Sequence, residues 1–240
     1  MDTLWALGAS VDLGLLGRFA YMLALVAAGF GARRLGVLTD VRNERLGQVA
    51  FYVLLPALVF TSTYDKRLGE LLSVALVVGL VVVIGTLVAL SLVSNRGGDD
   101  DVRSVAVIQS YHGNFGYFGV PVVAATLGST AAATASIILG LGALIQIPLT
   151  ILVLVRINET EADFLGELRN LVTNPILLTL GVGLVFATLQ LDVPAAAGTG
   201  LDWLSTLALP VALLAVGGSL DPRGHEIPLT RTATVVGLKV

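Results

Sequence analysis

Five stretches of this chain, Leu46–Tyr64, Leu71–Asn95, Ser104–Val155, Asn170–Leu191 and Trp203–Leu220, contain no Asp, Glu, Lys or Arg. The shortest has 18 residues and the longest 52. A helix that crosses the hydrocarbon core of a bilayer needs about 20 mostly apolar residues. Each stretch therefore has the length of about one span, and Ser104–Val155 has the length of two. With 55% hydrophobic residues, 13% charged residues and a mean hydropathy of +0.89, the chain carries more apolar surface than a soluble domain of 240 residues can bury. An all-α integral membrane fold follows as the expectation.

Charged and Gly/Pro-rich breaks place helices near Leu15–Ala32, Leu46–Thr63, Leu71–Ser94, Ser104–Leu127, Thr130–Val155, Asn170–Leu191 and Leu201–Leu220, with an eighth starting near Arg231. That eighth helix reaches Val240 after only about three turns, so a truncated product or a fragment with about seven and a half helices is expected. Lys and Arg are retained on the cytoplasmic side of membrane proteins. An outside N-terminus puts Arg33, Arg34, Arg42, Arg45, Arg96, Arg103, Arg156, Arg169, Arg223 and Arg231 inside, and leaves only Arg18, Lys66 and Arg67 outside. The expected location is the cell (plasma) membrane, with an inner loop over residues 156–169.

Several function classes fall away. The net charge of −3 gives no basic footprint for nucleic acid, and the Asp99–Asp101 run reads as a solvated loop. There is no cysteine, and His112 and His225 are the only histidines. No HExxH metal motif or GxSxG nucleophile turn occurs, and GNFGYFG lacks the Lys-Ser/Thr of a phosphate-cradling loop. A Ser–His intramembrane protease would need His112 as its base, yet no serine sits in a recognisable nucleophile turn. No enzyme activity, cofactor or metal is expected. The expected partners are a small organic anion, the lipid bilayer and, as a compatible assembly, a second copy of the chain.

Shifting the sequence by 154 positions lays Pro56 on Pro210 and LLPALVF on ALPVALL, and aligns Gly31–Leu38 with Val185–Asp192 as matching helix ends and loops. Helices one and two thus look like helices six and seven, and the first apolar segment reads as a structural helix rather than a cleavable signal peptide. Five helices separate the copies, so the second copy enters the membrane with opposite polarity, as in the inverted repeats of many secondary transporters. Two Leu/Val/Ala-rich helices that each hold a proline can also match by chance; the charge distribution supports the repeat independently. The expected division is a first five-helix repeat over 14–155, the loop 156–169, and a partial second repeat over 170–240.

The fourth span reads QSYHGNFGYFGVPVVAATLG, with Gly113, Gly116 and Gly119 crowded ahead of Pro121. Proline removes a donor and clashes with the preceding turn, and glycine raises the entropic cost of helix. The spacing predicts two half-helices separated around Asn114–Gly119. Irregular backbone at membrane depth is tolerated only where it is buried in protein or lines a cavity, and half-helix ends expose partial charges that can hold a carboxylate. Gln109, His112 and Asn114 lie beside the break, and Asn114 is the first candidate for substrate contact. Gly116 and Gly119 could instead serve close helix packing, Asn114 could satisfy a neighbouring backbone group, and His112 could be an ordinary hydrogen-bonded residue. Gln146, just before Pro148, is a further interior candidate. Pro56 and Pro210 read as hinge or kink positions rather than ligand contacts.

The stretches LGQVAFYVLLPALVFTS, GNFGYFGVPVVAATLG, NPILLTLGVGLVF and LALPVALLAVGGSL resemble the auxin efflux carrier family of membrane transport proteins. The resemblance runs from about residue 14 to the end of the chain. It implies a ten-helix fold of two inverted five-helix repeats with broken crossover helices at the site. It also implies a permease or exporter of organic acids, such as auxin-like or dicarboxylic acids, working by alternating access. By this analogy Asn114 and Pro121 match the asparagine and proline of the first crossover, and the second crossover would lie at about position 268, beyond Val240. A cation-coupled symporter or a channel of similar architecture remains an alternative, and an intramembrane enzyme a weaker one.

Overall fold

The structure is a computed structural model that describes residues 13–67, 69, 72–97, 99–159, 164–220 and 229–239. Arg223, His225 and residues 160–163 of the expected inner loop lie outside the described residues. Among the described residues all regular structure is helical, as the charge-free stretches require. The helices are α1 (Leu13–Arg34), α2 (Asp40–Thr63), α3 (Val74–Ser94), α4 (Asp100–Tyr111), α5 (residues 115–127), α6 (Ser129–Asn158), α7 (Phe164–Val172), α8 (Pro175–Leu189), α9 (Ala195–Ser219) and α10 (Leu229–Lys239). By length and composition α2, α3, α6 and α9 can each cross a bilayer alone.

Helix α2 sits at the centre of the molecule. Leu54, Leu55, Leu58 and Val59 from α2 meet Val120 of α5, Ala133 and Ile137 of α6, Ile176 and Leu180 of α8 and Ala208 of α9 in one buried cluster. Helix α3, by contrast, exposes Val74, Val78, Val81, Val82, Val83 and Leu90. Apolar side chains that are exposed at this density along a 21-residue helix are a lipid-facing surface, because lipid is as apolar as they are.

Two prolines shape their helices in the same way. Pro56 follows a π-helical turn at Ala50–Leu54, and Pro121 follows one at Phe115–Gly119. In each case the turn starts six residues before the proline, and the residue just ahead of the proline donates back five positions: Leu55 to Ala50 and Val120 to Phe115. A proline ring pushes away the carbonyl four residues back, and one widened turn accommodates that displacement without ending the helix. Pro210 and Pro148 lie inside α9 and α6 with the helix assigned through them.

The packing pairs α1 with α9, α8 with α2, and α2 with α9. The first two interfaces share their contact positions under the 154-residue offset. A Cβ on Gly29 of α1 would strike the Leu214 carbonyl of α9, and one on Gly183 of α8 would strike Thr63 beside Phe60 of α2. Gly29 and Gly183 are 154 positions apart, and so are Phe60 and Leu214. Gly217, the offset partner of Thr63, likewise has no room for a Cβ against the Val26 carbonyl.

The region between the fifth and sixth spans differs from expectation. Residues 156–169 were read as a loop and Asn170–Leu191 as one helix. Instead α6 continues to Asn158, α7 occupies Phe164–Val172, and the chain bends by 55° before α8 begins at Pro175. The bend has a local cause. Pro175 cannot donate to a preceding turn, and the Asn174 side chain caps the new helix by accepting from the backbone N–H of Ile176 (2.9 Å) and Leu177 (3.3 Å).

Candidate functional site

The fourth span is broken, at a point slightly earlier than expected. Helix α4 ends at Tyr111, His112 is extended with ψ 107°, and Asn114 caps the next turn. The glycine-rich Phe115–Gly119 stretch, expected to be the gap, is the wide turn itself. Asn114 makes that start: its side-chain oxygen accepts from the Tyr117 backbone N–H at 3.0 Å, and its carbonyl accepts from the Gly119 N–H at 3.0 Å. The Phe115 ring fills the space left by two missing side chains, since a Cβ on Gly113 would come within 2.7 Å of it and one on Gly142 within 2.9 Å.

A cleft of about 510 Å³ opens at this break. Five of the residues singled out in the sequence line it: Gln109, His112, Asn114, Gly116 and Gln146. Gln109, His112 and Asn114 are exposed to it, whereas Gln146 is only 2% exposed and donates to the Tyr111 carbonyl at 3.1 Å, satisfying the last carbonyl of α4. Tyr111 in turn shares a 3.0 Å hydrogen bond with Thr150 of α6. Gln146→Leu would leave that carbonyl buried and unpaired, which costs about 1–3 kcal/mol. Thermal unfolding in detergent should show the loss, and an unchanged midpoint would mean that water replaces the amide.

The remaining singled-out positions lie elsewhere. Gly119 closes the wide turn, and Pro121 is fully buried behind it. Pro56 lines a separate cavity of about 410 Å³ with Phe60 and Thr179, and Pro210 is half-buried within α9. None of these three prolines is among the residues that line the cleft.

The sequence reading passed over Phe51, Tyr117, Asn170 and Asn174, all of which line the cleft. Asn174 carried a usable signal, the Asn-Pro pair of a capped helix start. Its helix start lies against the first: a Cβ on Gly116 would be 3.8 Å from the Ile176 side chain. Both asparagines use their side-chain oxygen to cap a helix, so the amide nitrogen of each remains as a donor. Among the described residues that line the cleft there is no Asp, Glu, Lys or Arg. It combines neutral amide donors, one imidazole and two helix starts, an arrangement whose fixed dipoles favour a negatively charged group.

A family model described as membrane transport protein matches residues 17–166, a range that contains α2 to α6 and the whole of the broken span. The chain is also 28% identical over 222 residues to a protein of Methanothermobacter thermautotrophicus named as an uncharacterized transporter, a match that covers 91% of this chain and 72% of that protein. With its helical architecture and lipid-facing apolar helices, the chain belongs to the membrane transport protein family, the auxin efflux carrier group of multi-pass membrane transporters.

Proposed function

We propose that this protein is a secondary carrier of small organic anions in the plasma membrane, with its N-terminus outside and its substrate site at the cleft of the broken fourth span. The observation that carries this reading is the orientation of Asn114. Its side-chain oxygen is occupied by the Tyr117 N–H, so its amide N–H₂ is the group offered to the cleft beside a helix start. A donor and a positive dipole end suit a carboxylate, and a wall with no Asp, Glu, Lys or Arg among its described residues binds it without a counter-charge that would have to be desolvated in each cycle. No chemistry on the substrate is expected.

Supporting an inverted-repeat carrier are the two interfaces whose positions match at the 154-residue offset and the excess of Arg on one side of the spans. The repeats span 14–155 and 170–240, joined by an inner segment, residues 156–169, in which α7 begins. His112 on the cleft wall favours a second reading, symport coupled to protons, because an imidazole can take up and release a proton.

The test is counterflow in proteoliposomes preloaded with mono- and dicarboxylates. A carrier gives saturable uptake of labelled substrate that is accelerated by unlabelled substrate on the far side. Flux that rises linearly with concentration and shows no exchange acceleration would replace the carrier with a channel.

A further inference from the structure

Helix α5 packs chiefly on α6, yet each of its ends is fastened by a polar tie to the α1–α2 part of the bundle. At its start the Tyr117 hydroxyl donates to the Gly47 carbonyl of α2 at 2.6 Å, and the Tyr117 ring stacks on Phe51 with centroids 6.5 Å apart and planes at 16°. At its end the Arg18 guanidinium of α1 donates to the carbonyls of Ala125 (2.9 Å) and Thr126 (2.6 Å). Those carbonyls belong to the last turn of α5, where backbone acceptors lack intrahelical partners and a cation is favoured.

The Tyr117 contact falls where both helices are already altered. Gly47 lies just before the wide turn of α2, Tyr117 lies within the wide turn of α5, and such turns are frequent at functional sites. Gly47 also leaves room for the phenol, since a Cβ there would be 3.1 Å from the Tyr117 hydroxyl oxygen. Tyr117 furthermore supplies the backbone N–H that fixes the Asn114 side chain. One residue thereby couples the position of the substrate-facing amide to α2.

Resting on the carrier reading above, we propose that Tyr117 and Arg18 are positioning residues that hold α5 in the present access state, and that both ties break when the cleft turns to face the other side of the membrane. Loss of either tie shifts the balance between access states.

The chain has no cysteine, so a single cysteine at Ala143, on the cleft wall, reports from which side the cleft is open. The ratio of labelling by an impermeant maleimide in intact cells to that in inverted vesicles is compared for Ala143→Cys alone and combined with Tyr117→Phe, Arg18→Ala or Gly47→Ala. Each tie variant is expected to move the ratio in the same direction, Tyr117→Phe by roughly two- to tenfold, the range that one net hydrogen bond carries, and Arg18→Ala, which removes two bonds, by at least as much. Gly47→Ala, whose methyl crowds the phenol, should move it no further when added to Tyr117→Phe, because both act on the same bond. Thermal unfolding in detergent identifies any variant that misfolds, and Tyr117→Phe, which keeps the ring, is the decisive one. A ratio unchanged by Tyr117→Phe and Arg18→Ala in folded protein overturns the proposal. Counterflow by the native protein is recorded in parallel: a shifted ratio without native counterflow upholds the ties and rejects the carrier.

Discussion

Asn114→Asp is expected to leave the protein inserted and folded while reducing counterflow by at least about a hundredfold. Aspartate caps a helix as well as asparagine does, so the bond from the Tyr117 N–H survives and α5 still starts where it does. What changes is the face turned to the cleft: the N–H₂ donor is replaced by a negatively charged oxygen. The loss of a hydrogen bond to a charged group accounts for about 1.5–3 kcal/mol. Repulsion from a carboxylate about 4 Å away adds on the order of 4 kcal/mol at an effective dielectric near 20, and each 1.4 kcal/mol is tenfold in binding. Asn114→Ala separates the two roles, since it removes the donor without adding charge and also removes the cap, at a stability cost of about 1 kcal/mol. Counterflow in proteoliposomes and unfolding in detergent measure the two effects independently. Native-like counterflow in Asn114→Asp would move the substrate site away from the broken span.

The largest effect on stability is expected at the α1–α9 interface. In Gly217→Ala the added methyl meets the Val26 carbonyl and the Phe30 N–H, which are backbone groups that cannot rotate away. In Gly29→Ala it meets the Leu214 carbonyl. Overpacking at positions that side chains can relieve costs about 1–3 kcal/mol, and here relief requires the two helices to separate. Each substitution should therefore reach or exceed the upper end of that range. Their effects should not add, because separation needed by one serves the other. Gly183→Ala at the offset-related interface should cost less, as the main obstruction there is the Thr63 hydroxyl, a side chain. Gly31→Ala is the control: nothing lies within 4 Å of a Cβ at Gly31, and alanine favours helix by up to about 1 kcal/mol. Thermal unfolding of purified protein in detergent ranks the four. A Gly217→Ala midpoint equal to that of Gly31→Ala would show that α1 does not pack on α9 in the membrane.

Much of the architecture was legible in the sequence because the bilayer imposes strict rules on what can cross it. Charge-free length located the spans, and the crowding of Gly113, Gly116, Gly119 and Pro121 located the break. Polar residues in an uncharged stretch point away from lipid, where exposure would be costly, and the structure places Gln109, His112, Asn114 and Gln146 on the cleft wall. The boundaries of the break were less legible. A glycine-rich segment ahead of proline reads as a gap by propensity, whereas the Asn114 cap and the widened turn keep Phe115–Gly119 helical. Helix α7 was missed because the charges of residues 156–169 suggested a solvated loop, although Phe164, Leu165, Leu168 and Val172 follow a helical spacing. The Tyr117–Gly47 contact joins residues 70 positions apart and leaves no periodic trace in the sequence. Tyr117 looked like an ordinary aromatic residue among apolar neighbours until α5 and α2 were seen side by side.

The central claim, that the cleft at the broken fourth span is the substrate site of a carrier, is tested most directly by substrate protection. In the Ala143→Cys protein the rate of maleimide labelling is measured against increasing concentrations of the carboxylate that best drives counterflow. The prediction is that labelling slows saturably, with a half-effect concentration matching that of counterflow, and that Asn114→Asp abolishes the protection. Labelling that proceeds at an unchanged rate under concentrations that saturate counterflow would place the substrate elsewhere and contradict the account.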